Sequence, residues 1–193
     1  MPTVFSHAIA GTAIGAVLVA GPARVPLWAL GALCAVVPDL DVISLYLGLP
    51  YDHVLGHRGL SHSLLFAAGL ASVMTAVVRR ARLASWSSPR LWAFFFLATA
   101  SHGLLDAMTS GGLGIAFFAP FSDTRHFLPW QPIVVSPLSI HGFFSRHGLV
   151  VMRSELGWVW LPAALVFLVG LALPRRRRGQ TGAVVETRPG RTS

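Results

Sequence analysis

His53-Val54-Leu55-Gly56-His57-Arg58-Gly59-Leu60-Ser61-His62-Ser63-Leu64-Leu65-Phe66 places three histidines and an arginine at the entrance to a long apolar run. Imidazole is the commonest metal ligand in proteins, and a polar ring at a membrane boundary is costly without a partner. Ser61 reads as an N-cap, which predicts a helix starting at His62 and running apolar from Ser63 onward. His57 then lies on the preceding loop, one glycine-permitted turn away, and both rings can face one point. A histidine pair alone is more often a hydrogen-bonded structural feature, so its meaning depends on what the rest of the chain brings beside it.

Composition sets the environment. Of 193 residues, 54% are hydrophobic and 11% charged, with a mean hydropathy of +0.65. Soluble domains carry roughly a quarter charged residues, so the chain reads as a small integral membrane protein. A single cysteine, Cys34, excludes a disulfide framework and a thiolate metal cluster. Lysine is absent, which removes P-loop and Schiff-base chemistry. The formal charge of +8 therefore rests on arginine. Because the arginines border apolar runs, they speak for membrane topology and not for nucleic acid.

Five apolar runs are visible, at 4–20, 26–49, 62–78, 91–108 and 156–173. His7 lies near the start of the first, among small residues (Ala10, Gly11, Gly15) that permit close helix packing. Pro38-Asp39-Leu40-Asp41 interrupts the second, which is expected to end, kink or re-enter there. Carboxylates inside a hydrophobic stretch are rare unless they face a cation or a polar cavity, although this pair could also cap a helix. The fourth run ends in Ser101-His102-Gly103-Leu104-Leu105-Asp106, and the four-residue spacing stacks His102 and Asp106 on one helical face. Residues 109–154, rich in glycine, proline and aromatics, read as a long, partly folded cap containing Asp123, Arg125 and His126. Residues 1–174 form one unit, and the basic segment 175–193 is expected to be a disordered cytoplasmic tail.

The expected fold is thus an all-α membrane bundle of about five spanning or re-entrant helices with a long extracytoplasmic loop. Arg24, the group Arg79 to Arg90, and Arg175 to Arg178 alternate so as to share one side, which the positive-inside rule makes cytoplasmic. The N-terminus then lies outside and the C-terminus inside. His7, Asp39, Asp41, His57, His62, His102 and Asp106 all gather at the opposite, extracytoplasmic ends. Histidine and carboxylate ligands without thiolates suit zinc first, then manganese or iron. Four histidines with two or three aspartates suffice for two ions about 3.5–4 Å apart, an arrangement that polarises a phosphoryl group and activates water. Arg58 and Arg125 could hold an anionic substrate, although Arg58 could equally form a salt bridge to Asp39, Asp41 or Asp52.

His7 in a small-residue helix, Pro38-Asp39-Leu40-Asp41, His57-Arg58-Gly59-Leu60-Ser61-His62-Ser63 and Ser101-His102-Gly103-Leu104-Leu105-Asp106 together resemble the YdjM-like (DUF457) family over about residues 1–135. Those are bacterial inner-membrane proteins regarded as metal-dependent hydrolases. A more distant likeness is to the zinc-dependent phospholipase C group. The resemblance implies a metal site, with His57, His62, His102 and Asp106 matching best and Asp39 and His7 next. It also implies a hydrolase activity without settling a substrate; the expected reaction is hydrolysis of a small-molecule or lipid ester or phosphoester by metal-activated water. Asp41 or Asp106 would serve as base or as partner to a ligand, and Arg58 would stabilise developing negative charge. Membrane lipids are the expected partners. The rival readings are a metal-binding carrier and a non-catalytic scaffold whose polar groups are merely hydrogen-bonded.

Overall fold

Small residues along the apolar runs let helix backbones approach until their glycines touch. In the computed structural model, which describes residues 1–20, 24–137 and 139–173, α1 (Val4–Leu18) packs against α2 (Arg24–Val36), α5 (Ser88–Ala107) and α8 (Leu161–Ala172). A methyl group on Gly11 would lie 2.7 Å from the Gly31 carbonyl oxygen of α2, and one on Gly170 of α8 would lie 2.7 Å from the Ala16 carbonyl carbon. α4 (Leu64–Arg80) lies along α5. Leu27, Trp28, Leu91, Phe94 and Phe95 fill the core between these helices, and the Trp28 indole donates to the Val19 carbonyl at 3.2 Å.

The outer surface is apolar too. Leu33, Leu97, Leu165 and Leu168 are 46–64% exposed, a pattern suited to lipid and costly in water. Among the described residues, two helices are long and apolar enough to cross a membrane: Arg24–Tyr46, which joins α2 through a 3₁₀ segment (Val37–Val42) to α3 (Ile43–Tyr46), and Arg146–Ala172. Their mean hydropathies are 1.6 and 1.8. The other three runs also form helices, of 15, 17 and 20 residues, without meeting both measures.

Two local expectations need correction. α4 begins at Leu64, because Ser63 is the residue that caps it, accepting from the Phe66 amide at 3.1 Å. Ser61 and His62 instead lie in a 3₁₀ turn, Leu60–His62. As expected, the α-helix of the second segment stops just before Pro38, at Val36, and the chain continues as the 3₁₀ stretch Val37–Val42. The region 109–154 is shorter as a connection than expected, since it holds α6 (Ile140–Phe143) and α7 (Arg146–Glu155). Ser145 caps α7, and a π-helical turn, Leu156–Trp160, joins α7 to α8. α7 buries Gly148, Val151 and Glu155 along one stripe while exposing its arginines, so its composition alone looks like a loop.

The remaining part of the connection folds back as a lid. Ile115 and His126 exchange two backbone hydrogen bonds of 2.9 Å, and the Ser110 amide donates to Ile133 at 2.9 Å. Ile115 and Ile133 are fully buried. The Ala116 amide donates to the Arg58 carbonyl at 3.2 Å, and the Leu64 amide to the Phe117 carbonyl at 3.0 Å. These bonds press the lid onto the histidine-rich segment. Residues 174–193, including the basic tail, lie outside the described residues.

Candidate metal centre

His7 belongs to the first turn of α1, Asp39 and Asp41 to the 3₁₀ segment after α2, His62 to the turn before α4, and His102 and Asp106 to the last turns of α5. The antiparallel course of the helices brings these ends together. Gly103 permits the closest approach, because a methyl group there would lie 3.0 Å from the His62 carbonyl oxygen.

One donor atom from each of Asp39, His62, His102 and Asp106 lies within 4.8 Å of the others, and all four residues are buried. The His62 and His102 Nε2 atoms are 2.9 Å apart. His102 Nδ1 is 2.7 Å from the Ala35 carbonyl oxygen, which can only accept, so Nδ1 carries the proton and Nε2 a lone pair. His62 Nδ1 donates to Asp41 Oδ2 at 3.0 Å, which likewise frees its Nε2. Two lone pairs held this close require a cation or an extra proton between them. Asp39 Oδ1 is 3.3 Å from His102 Nε2, and Asp106 Oδ2 is 3.5 Å from His62 Nε2. Asp39 has no hydrogen-bond donor on either oxygen, whereas Asp106 has the Arg58 guanidinium as countercharge, Nε lying 3.0 Å from Oδ2. A buried carboxylate left unpaired, as Asp39 is, is expensive unless it meets a cation. The donor set is nitrogen and oxygen without sulfur, and it fits a divalent metal.

His7 lies at the edge of the same group. Its ring stacks on His102 with centroids 3.7 Å apart, and its Nε2 is 3.4 Å from Asp106 and 3.9 Å from Asp39. Neither ring nitrogen has a hydrogen-bond partner.

Asp41, His57 and Arg58 stand behind these residues. Asp41 Oδ2 accepts from His62 Nδ1, the Ser61 hydroxyl and the Arg58 amide, while its Oδ1 is 2.6 Å from His57 Nδ1. Asp41 thus fixes the ring of His62, as carboxylates commonly do behind a metal-bound histidine. His57 turns its Nδ1 toward Asp41 and is not among the four grouped donors. Arg58 is 1% exposed, at a positive φ of 64°. Its Nε faces Asp106 Oδ2 at 3.0 Å, and its two terminal nitrogens donate to the Gly111 carbonyl and the Thr109 hydroxyl. Arg125 likewise turns inward, donating to the Tyr51 carbonyl at 3.0 Å and the His57 carbonyl at 3.1 Å. Burial disfavours a charged His62, but Asp106 and Asp41 outweigh it and raise its pKa to about 9.

Glu155 was not singled out from the sequence. Fully buried, it accepts from the Thr3 amide at 2.6 Å, from the Thr3 hydroxyl at 2.5 Å and from the Ser6 hydroxyl at 2.6 Å. Ser6 also accepts from the Trp160 indole at 2.8 Å. Glu155 thereby ties the last long helix to the turn that carries His7. A lone acid at the threshold of an apolar run was its only signal in the sequence.

Helices with an apolar exterior, closed at one end around a buried His/Asp donor group, define a helical membrane-type protein with a candidate cation site. The comparisons place it more closely: the chain belongs to the YdjM inner membrane protein family, whose model matches residues 1–178. It is similar to inner membrane protein YbcI of Escherichia coli (strain K12), 41% identical over 179 residues that cover 92% of this chain and 100% of that protein. No solved structure matches.

Proposed function

We propose that the chain is a membrane-embedded metal-dependent hydrolase acting on an ester or phosphoester at the extracytoplasmic membrane face. The observation that carries this reading is the buried set Asp39, His62, His102 and Asp106, in which two histidine Nε2 atoms lie 2.9 Å apart beside an Asp39 carboxylate with no hydrogen-bond donor. When bound, a divalent ion such as zinc supplies a Lewis acid and lowers the pKa of water. Asp39, His62, His102 and Asp106 would hold it, with His7 beside them for a second ion or a reshaped first one. Asp41 orients His62 and is a positioning residue. Arg58 balances the charge of Asp106 and locks the lid to the site through Thr109 and Gly111.

Sidedness follows from the arginines. Arg24, Arg79, Arg80 and Arg90 lie at helix ends remote from the donor group, which supports a cytoplasmic location for that end and an outside location for the site. The N-terminus would be outside and the C-terminus cytoplasmic, in the bacterial inner membrane.

The test is elemental analysis of detergent-purified protein, followed by a screen of phosphoester and lipid-ester substrates on metal-loaded and chelated samples. Stoichiometric metal and chelator-sensitive turnover are expected; protein that folds without metal and binds none would overturn the reading. A metal-binding carrier or scaffold is the second reading, favoured by the complete burial of His102 and Asp106, since closed sites tend to be structural. It predicts stoichiometric metal and no turnover across the screen.

A further inference from the structure

Asp39 faces two ways. It belongs to the grouped donors, and it also lines a cavity of about 470 Å³ between the start of α1, the 3₁₀ segment after α2 and the region 136–144. The walls are mainly apolar, with Phe5, Val36, Leu40, Val42 and Phe144 among the lining side chains, and Thr3 and Ser136 add hydroxyl groups. Sites for small organic ligands occupy ~300–1,000 Å³ and combine apolar walls with a few polar groups that fix orientation. Here the side chain that can do so with charge is Asp39, 6% exposed and without a hydrogen-bond donor on either oxygen.

The rim differs from the floor. Phe5, Leu40 and Phe144 are 56%, 61% and 82% exposed, and the apolar surface continues onto α3 through Ile43 and Leu47. Such a rim suits the hydrocarbon of a bilayer, and water disfavours it. A cavity open to hydrocarbon at one end, and at the other to a carboxylate that would hold a metal cation, matches an amphiphile with an apolar chain and an ester or phosphoester head that the cation would meet.

We infer that this cavity takes a hydrocarbon chain of a membrane lipid, with the lipid's ester or phosphoester held at the Asp39 end. The inference rests on the metal-dependent hydrolase reading and names the substrate class for that site. A soluble phosphoester without a chain would leave the apolar walls unfilled, so lipid is the occupant the lining favours.

Photolabelling tests it without reference to turnover. Full-length protein in phosphatidylcholine nanodiscs is irradiated with a lysophospholipid carrying a diazirine in its acyl chain next to the ester, and labelled residues are mapped by mass spectrometry. Label should fall on residues 36–42, and excess unlabelled lysophospholipid should suppress it. Val42→Trp, which fills the cavity from the 3₁₀ segment, and Phe5→Trp, which fills it from α1, should each reduce the label about tenfold or more. Excluding even two methylene groups costs about that much binding. Both variants should keep wild-type metal content. Label confined to the outer faces of α4 and α8, or undiminished in both tryptophan variants, would overturn the inference. Metal content and hydrolysis of a short-chain soluble ester, measured on the same samples, judge the hydrolase reading separately. Cavity labelling without turnover would retain the lipid site and reject the hydrolase. Turnover without cavity labelling would do the reverse.

Discussion

His62 and His102 meet Nε2 to Nε2 at 2.9 Å, each with its other ring nitrogen already committed, one to Asp41 and one to the Ala35 carbonyl. Two neutral imidazoles do not choose that arrangement. It is stable when a cation lies beside both lone pairs, or when one ring takes a second proton. The competition between metal and proton governs how the site should respond to mutation and pH.

His102→Ala removes a grouped donor, whereas His57→Ala removes a ring that faces Asp41. Bound metal, measured by mass spectrometry on detergent-purified protein, should fall below about a tenth of wild type in His102→Ala, and stay within about twofold of it in His57→Ala. Asp41→Asn lies between, with metal affinity lowered by ~10–100-fold, the usual loss when the partner behind a histidine ligand is changed. Equal occupancy in His102→Ala and wild type would exclude the proposed ligand set.

His62 is raised from an ordinary value of 6.5 to about 9. Below that pH a metal must displace a proton, so apparent metal affinity should climb by up to about tenfold per pH unit between pH 6.5 and 9, then level off. The metal-free protein should show the opposite trend. A raised folded-state pKa contributes stability that is fully present below 6.5 and is lost as pH rises through 9. Metal titrations and thermal melts at fixed ionic strength check both slopes; a flat affinity profile would contradict the proton–metal exchange.

Arg58 and Asp106 form a buried ion pair at 3.0 Å, with side chains 1% and 0% exposed. Arg58→Ala leaves Asp106 without its guanidinium and frees Gly111 and Thr109, so it should destabilise the protein by ~3–5 kcal/mol, as loss of one partner of a buried pair commonly does. Arg58→Lys should recover little, because an ammonium lacks the fork that reaches three partners. Melting in detergent measures this. If Arg58→Ala melted like wild type but lost turnover, the arginine would belong to the substrate instead.

Reporter fusions can decide which side of the membrane the site faces. Truncations fused after Arg90 and after Arg178 should report the cytoplasm, and one fused within residues 110–125 the opposite side. A cytoplasmic signal from that lid would put the donor group inside and invert the proposed orientation.

Much of the donor group was legible in the chain. His102 and Asp106 follow from helical periodicity, and a carboxylate such as Asp39 in an apolar run stands out wherever it occurs. His57 and Arg58 were harder. Both belong to a turn, where spacing does not fix direction; the sequence expected His57 to face a metal and left Arg58 between an anion and a salt bridge to Asp39, Asp41 or Asp52. In the structure Asp41 holds the first, while Asp106, Thr109 and Gly111 hold the second. Glu155 was missed because its partners, Thr3 and Ser6, are about 150 residues away, at separations of 152 and 149.

By itself the sequence determined the apolar helices, the arginine-flanked ends and the presence of a histidine–aspartate chemistry free of thiolates, because hydropathy, charge placement and helical spacing are local properties. Tertiary structure alone decided which nitrogen of His62 and of His102 is free, that Asp39 lacks a donor, and that it lines a mainly apolar cavity. Those properties depend on groups brought together across the whole chain: the Ala35 carbonyl sets the tautomer of His102 from 67 residues away, a relationship that no local pattern encodes.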